Sequence, residues 1–332
     1  MLWVAALALA IQLAPLGAPL LLSTDAWTYW GYGRIAAVHD ANPYEDEPSQ
    51  FADDAAFPYI GTHWHDATSV YGPAFTLASE PIALAAGESE DAAAWIYKTL
   101  AALGVCVAAG LAARLSSHAA FAWAFVGWNP LLALHFGGGG HNDAWMAALV
   151  LVALTLAAAG HRQLAAAGWV VAIAVKWVPL ALLPLRLVEA RRRGVRPAYL
   201  GLALAAAAIM AVATWRYGLA WVGAFGPLTG QAGEGTSFAL PRRLESIGVP
   251  YGLAVGMGVT AFAVAYVALV REALRGRARL GLTAGLLLLA TPYLIVWYVV
   301  WAVPLAAAED DVPAQLLALG LCAYLLSQTV PI

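Results

Sequence analysis

Ser23-Thr24-Asp25 is followed by Trp27, Tyr29, Trp30 and Tyr32, a run that closes on Arg34. A carboxylate walled by aromatic rings is partly removed from water, and desolvation raises its basicity. Asp25 is therefore suited to take a proton from a hydroxyl. The same three residues also fit the N-cap of a helix starting at Ala26. A second polar cluster runs from Gly137-Gly138-Gly139-Gly140 into His141-Asn142-Asp143. Four glycines let a ligand or another backbone approach closely. Beside them His141 is a candidate ligand contact, and Asn142 and Asp143 can cap the following helix.

Cations that could hold an anionic leaving group are few. Lys176 is the only lysine in the latter half of the chain and sits in apolar sequence. An intramembrane cation is costly and usually paired, so a lipid-linked phosphate, a protein carboxylate or snorkelling to the surface would each account for it. Arg242 and Arg243 could grip phosphate bidentately or be ordinary solvated loop residues. Pro292-Tyr293, Trp297-Tyr298 and Trp301 could form an interfacial aromatic belt or wall a sugar site. His63, His65 and Asp66 offer three metal-type ligands without a clear fourth. A solvated polar loop is the simpler account, and no metal is expected. Cys106 and Cys322 lie in separate apolar runs and read as small buried hydrophobes.

The elements that must position these residues are helices in a bilayer. The chain has 332 residues, 62% hydrophobic and 11% charged, against about 25% charged in a soluble domain. Continuous apolar runs from Ala198 to Thr214, Tyr251 to Val270 and Leu280 to Leu305 approach or exceed the ~20 residues that span a membrane. Their continuity excludes the alternating pattern of a transmembrane barrel. Helices are expected near 3–22, 92–114, 118–136, 142–160, 164–186, 198–217, 250–270, 280–305 and 312–331. A shorter apolar stretch, 73–86, after Tyr71-Gly72-Pro73, reads as a juxtamembrane helix. The run from Met1 to Leu22 lacks a basic start and reads as a retained first helix. The expected fold is an all-α polytopic membrane protein of about nine to ten transmembrane helices. It forms one domain over 1–332, with a long first extracytoplasmic loop at 23–91 and a second outer loop at 218–249.

Arginine-rich short loops stay cytoplasmic. Arg186, Arg191, Arg192, Arg193 and Arg196 form one such cluster, and Arg271, Arg275, Arg277 and Arg279 another. Segment 23–91 carries twelve acidic residues and one base, Arg34, and reads as extracytoplasmic. A single crossing by 164–186 would put the first arginine cluster on the wrong side. A broken helix pair turning near Lys176, with Pro179 and Pro184 beyond it, restores the sidedness.

The ordered set Asp25, Asn42-Pro43-Tyr44, Tyr71-Gly72-Pro73, Asn129-Pro130, Gly-Gly-His141-Asn142-Asp143, Lys176 and Trp297-Tyr298 resembles the polyprenol-phosphate-mannose-dependent α-mannosyltransferases of the glycosyltransferase-C superfamily. The resemblance covers about residues 20 to 305. It implies a glycosyltransferase-C-like helical bundle in the cell membrane with its active site on the extracytoplasmic face. The donor it implies is a polyprenyl-phosphate-linked sugar, mannose in that family, and the acceptor a glycan or glycolipid hydroxyl. It implies Asp25 as general base of an inverting displacement, with no cofactor and no nucleic-acid partner. Lys176, Arg242 and Arg243 would hold the departing phosphate. Arg34, Tyr71, His141, Asn142, Asp143, Trp297 and Tyr298 would contact or orient the substrates. Two other classes compete. A transporter or lipid flippase would show repeated halves and midplane sites, whereas the polar residues here gather at one face. A non-catalytic assembly subunit would not bring Asp25, His141 and Lys176 to one cavity.

Overall fold

The computed structural model describes residues 1–224, 226 and 235–329. Among these there are helices, turns and no strand. In chain order the α-helices are α1 Leu2–Leu13, α2 Asp25–Ala37, α3 Pro73–Ala86, α4 Glu90–Leu115, α5 Ala119–Gly127, α6 Pro130–Leu132, α7 Asp143–Ala158, α8 Arg162–Val175, α9 Pro179–Arg192 and α10 Tyr199–Tyr217. After them come α11 Leu240–Glu245, α12 Tyr251–Leu274, α13 Leu280–Ala290, α14 Val303–Ala308 and α15 Val312–Thr329. Of the outer loop expected at 218–249, residues 225 and 227–234 lie outside the described residues, as do the last residues of the helix expected at 312–331.

Among the described residues four helices, α4, α10, α12 and α15, are long and apolar enough to cross a membrane, and α5 with Pro130–Gly137 makes a fifth if that pair, bent by 46°, is one span. Fewer long spans appear than the sequence leads one to expect, because polar and proline breaks cut several of the apolar runs. The run 280–305 is two pieces. Thr291 precedes Pro292 and is extended (φ −71°, ψ 130°), the conformation a following proline imposes. The chain then restarts as a 3₁₀ turn, Val296–Trp301, leading into α14. Carbonyls freed by the break are taken by Thr236, whose N–H donates to Pro292 O at 3.0 Å and whose Oγ1 donates to Leu294 O at 2.6 Å.

The run 164–186 is likewise broken. Lys176 is extended (φ −154°, ψ 138°) at the end of α8, and Pro179 opens α9. Arg162, at the start of α8, and Arg196, beyond the end of α9, line the same groove. The two helices therefore run antiparallel from a turn at Lys176, as the charge argument requires.

Helix α4 is the centre of the bundle. Ser89 Oγ accepts from Ala92 N–H at 3.2 Å, and Glu90 and Asp91 occupy its first turn, where the helix dipole favours negative charge. Its buried face is mostly alanine, which lets neighbouring backbones come close. In its best spanning window 56% of residues are buried, against 11% in α10 and α12, which makes those two peripheral.

The bundle has two distinct ends. At one, Arg193 Nη2 donates to Gly276 O at 2.7 Å, Arg279 pairs with Asp311 at 2.7 Å, and Asp310 accepts from Ser117 N–H at 2.7 Å. Both arginine clusters sit there. At the other end Leu21 N–H donates to Gly138 O at 2.9 Å, joining the exit of α1 to the glycine run, and α2 and α3 pack beside them. All the polar motifs from Asp25 to Lys176 are at this second end.

Candidate active site

Asp25 is the first residue of α2, with Thr24 at the N-cap position and no side-chain cap bond. Its carboxylate turns away from the helix end instead. Oδ2 lies 3.2 Å from His141 Nδ1 and accepts from Tyr29 OH at 3.3 Å. The Asp25 side chain is 15% exposed and His141 is fully buried. Burial pushes the Asp25 carboxyl up. The hydrogen bond from His141, electrostatic attraction to His141 and Lys176, and a Ser23 hydrogen bond outweigh it and hold the group below the usual carboxylate value. The aromatic walls therefore do not raise its basicity as the sequence predicts: His141, 116 residues away in sequence, outweighs the desolvation.

The glycine run makes this pairing possible. Gly140 is left-handed (φ +75°), and a Cβ on it would stand 3.2 Å from Lys98 N and 3.3 Å from Ala26 Cβ. His141 is thus delivered directly against the start of α2. Lys98, on α4, holds the other side: its Nζ donates to Leu16 O at 3.2 Å, to Pro19 O at 3.4 Å and to Ala18 O. A buried ammonium on the carbonyls that end the first helix fixes the chain leading to Asp25.

Lys176, at the α8–α9 turn, donates to Asp143 Oδ2 at 2.8 Å. Asp143 Oδ1 accepts from Trp301 Nε1 at 2.6 Å. Asp143 is fully buried and the Lys176 side chain 17% exposed, so the ammonium is the part of the pair that reaches open space. It also sits 4.8 Å above the Tyr298 ring, a cation–π arrangement. The capping role open to Asp143 is not the one it takes.

Asp25 and Lys176 line one cavity of about 290 Å³, walled by Tyr71, Trp64, Trp297 and Tyr298 among others. Tyr71 arrives there through the Asn-Pro-Tyr motif. Tyr44 OH donates to Tyr71 O at 2.9 Å, and Ser69 N–H donates to Pro43 O at 2.7 Å. Gly72 N–H then donates to Val175 O at 3.3 Å, and a Cβ on Gly72 would collide with the Ala174 carbonyl. This contact sets Tyr71 next to Lys176. Burial, then the charge of Asp25, raises the Tyr71 hydroxyl well above its ordinary value, so it stays a neutral donor.

Several expected contacts are elsewhere. His141, Asn142 and Asp143 are all 0% exposed and stand behind the cavity wall. They position the lining and do not form it: the His141 ring stacks on Trp297 at 3.6 Å and 13°. Arg34 is not at the cavity. Its Nε donates to Asp54 at 2.7 Å and its Nη1 to Gly87 O at 2.5 Å, bonds that stay inside the first loop. Arg242 and Arg243 are also outside the lining. Arg242 meets Glu245 at 2.8 Å and the Tyr251 ring, and Arg243 donates to Tyr324 OH at 2.9 Å. His65 is occupied with Ile60 O at 3.0 Å, and among the described residues no group of three metal-type ligands converges.

Sequence reasoning did not single out Lys98, Trp64 or His135. His135 lies in a π-helical turn, Ala133–Gly137, with its ring 5.9 Å from His141 and 5.6 Å from Trp297. It is 2% exposed, and neither ring nitrogen has a hydrogen-bond partner among the described residues. A lone histidine in an apolar run carries no signal in sequence. The π turn, which puts its ring beside two site residues, appears only in the fold.

The arrangement offers an ionised carboxylate, a held ammonium, a neutral phenol and flat aromatic walls in one cavity. That set can deprotonate a hydroxyl, accept a leaving anion and pack against sugar rings. A family model described as "Alpha-(1->6)-mannopyranosyltransferase, N-terminal domain" matches residues 1–191. Asp25, Tyr71, His141, Asp143 and Lys176 fall inside the match; Trp297, Tyr298 and Trp301 fall beyond it. The chain is 29% identical over 238 residues to an "Alpha-(1->6)-mannopyranosyltransferase A" of Mycobacterium tuberculosis, covering 66% of this chain and 43% of that protein. It is 26% identical to a "Probable alpha-(1->6)-mannopyranosyltransferase" of Mycolicibacterium smegmatis, covering 87% of this chain and 62% of that protein. A Corynebacterium glutamicum "Alpha-(1->6)-mannopyranosyltransferase A" is 28% identical over 142 residues, 41% of this chain and 28% of that protein. The chain thus spans only part of the length of these relatives. No solved structure matches it.

Proposed function

The chain belongs to the alpha-(1->6)-mannopyranosyltransferase family, and from that membership we propose that it transfers a mannosyl residue from a polyprenyl-phosphate donor to a hydroxyl of a glycan or glycolipid. The observation that carries this reading is the cavity in which the Asp25 carboxylate and the Lys176 ammonium face the same space between aromatic walls. The reaction is an in-line displacement. The acceptor oxygen attacks the anomeric carbon as its proton passes to Asp25. The bond from that carbon to the phosphate oxygen breaks, and the electron pair leaves with the lipid phosphate beside Lys176. Fixed positive charge at the site of developing negative charge removes the need for a general acid. Inversion in a single displacement gives an α product from a β-linked donor.

His141 and Tyr29 orient the Asp25 carboxylate, and Asp143 with Trp301 orients Lys176. Trp297 and Tyr298 pack the sugar. The bundle sits in the cell membrane with the arginine end cytoplasmic and the cavity at the extracytoplasmic face, in line with the bias of arginine loops. The runs 164–186 and 280–305 are each two helices. About nine to ten membrane crossings, made by the four long helices, the bent pair and the shorter apolar helices, are part of this reading. The glycosyltransferase-C architecture is part of the same proposal.

The test is transfer by the purified chain from radiolabelled polyprenyl-phosphate mannose to mannan oligosaccharides. Asp25→Asn is expected to lower the rate by about 10²–10⁴, the usual contribution of a general base, while the protein inserts and elutes as the parent does. Near-parental transfer by that variant would remove Asp25 from the mechanism.

A further inference from the structure

At the end of the bundle opposite the Asp25 cavity, a groove opens between α8 and α9 beneath the segment that enters α10. Arg162, Arg186 and Arg196 line it together with Trp169, Leu187 and Leu202, and no acidic residue does. Arg186 is neutralised by Glu189. Arg162 and Arg196 are exposed, and their side chains have no partner among the described residues. Arg162 is the first residue of α8 and Arg196 lies just past α9. Trp169 and Leu187 are further along the same helices, so the two unpaired charges lie at the mouth and apolar surface runs inward beside the Arg186–Glu189 pair. The apolar surface continues outside the groove: Leu164, Leu200 and Leu204 are each 61–62% exposed.

This layout matches an amphiphile and not a small anion. Two unpaired guanidiniums at a membrane surface attract a phosphate, while a soluble anion would leave the apolar wall uncovered. We propose that the groove binds an anionic phospholipid of the leaflet opposite the Asp25 cavity. Its phosphate lies between Arg162 and Arg196 and its acyl chains run along Trp169, Leu187 and α10. The proposal needs the membrane placement above but nothing of the transfer reaction, so a failed transfer assay would leave it standing.

The test uses the delipidated full chain in mixed micelles with phosphatidylglycerol or phosphatidylcholine, and counts retained lipid by native mass spectrometry. Phosphatidylglycerol is expected to stay bound and phosphatidylcholine to be washed out. The double variant R162Q/R196Q is expected to lose phosphatidylglycerol affinity roughly 10- to 30-fold, and R162K/R196K to keep most of it. Inorganic phosphate alone is expected neither to bind nor to displace the lipid. Equal retention of the two lipids, parental retention by the glutamine pair, or displacement by inorganic phosphate would each overturn the proposal. Should the glutamine pair fail to fold, raising the salt from about 0.1 M to about 1 M must release the lipid from the parent; retention unchanged by salt overturns it.

Discussion

At the scale of single residues, the site is a set of charges whose partners are remote in sequence. Asp25 is held below the usual carboxylate value by His141 and Lys176 against the opposing push of burial. The group therefore stays ionised, and kcat/KM is expected to be flat from neutrality down past about pH 4, the ordinary carboxylate value. His141→Phe keeps a ring against Trp297 and removes the hydrogen bond. Burial then dominates, and the acid limb of the pH–rate profile should move upward, above about pH 4. An acid limb at the same pH in both proteins would separate His141 from Asp25. The residue types were legible beforehand, since Asp25, His141, Asp143 and Lys176 each stand out against apolar or glycine-rich sequence. Their roles were not. Whether Asp143 caps a helix or grips an ammonium depends on where the α8–α9 turn places Lys176, and no local spacing encodes that.

Elements explain which motifs matter and why. The first loop, expected as a polar extracytoplasmic segment, is an ordered layer of α2, α3 and 3₁₀ turns. Arg34 and Asp54 clamp it, both side chains 7% exposed. Burial raises the Asp54 carboxyl, but hydrogen bonds from Arg34, the Ala56 N–H and His39 hold it below the usual value. A depressed carboxylate contributes stability that is complete above the unfolded value, near pH 4, and lost as pH falls through the folded one. Asp54→Asn leaves a buried guanidinium without its counter-charge, which costs about 3–5 kcal/mol. Its thermal midpoint at pH 7 should fall well below that of the parent, and the gap should close in acid. A constant gap from neutral to acid pH would remove Asp54 from the clamp. Arg34 illustrates the limit of reading such loops from sequence. A single arginine among acids looks like a ligand hand, and only packing reveals that its donors go to Asp54 and Gly87. The helix breaks were partly legible. Pro179 and the charge conflict pointed to the turn at Lys176, whereas Pro292 within a long apolar run was read through, because hydropathy does not register a lost N–H.

For the whole molecule, the separation of the arginine clusters from the acidic, aromatic end is the feature that composition made plainest. Single cysteines placed at Glu45 and Arg192, both exposed, are expected to react with a membrane-impermeant reagent from opposite sides of the membrane. Labelling of both from one side would contradict the proposed placement. Cys106 and Cys322 are buried and give little background.

The Asp143–Lys176 pair also bears on how a catalytic cycle would close. In the proposed reaction a sugar phosphodiester would bring one negative charge to an ammonium already shared with a carboxylate, so the resting donor would be held loosely. Cleavage turns that diester into a monoester that gains a second charge at neutral pH, and the pull toward Lys176 grows as the bond parts. Strength that rises along the reaction coordinate accelerates the chemistry. The same strength detains the spent carrier lipid. Dephosphorylated or added polyprenyl phosphate should then separate the two stages: the free monoester is expected to inhibit competitively with the donor, and steady-state turnover to track its departure.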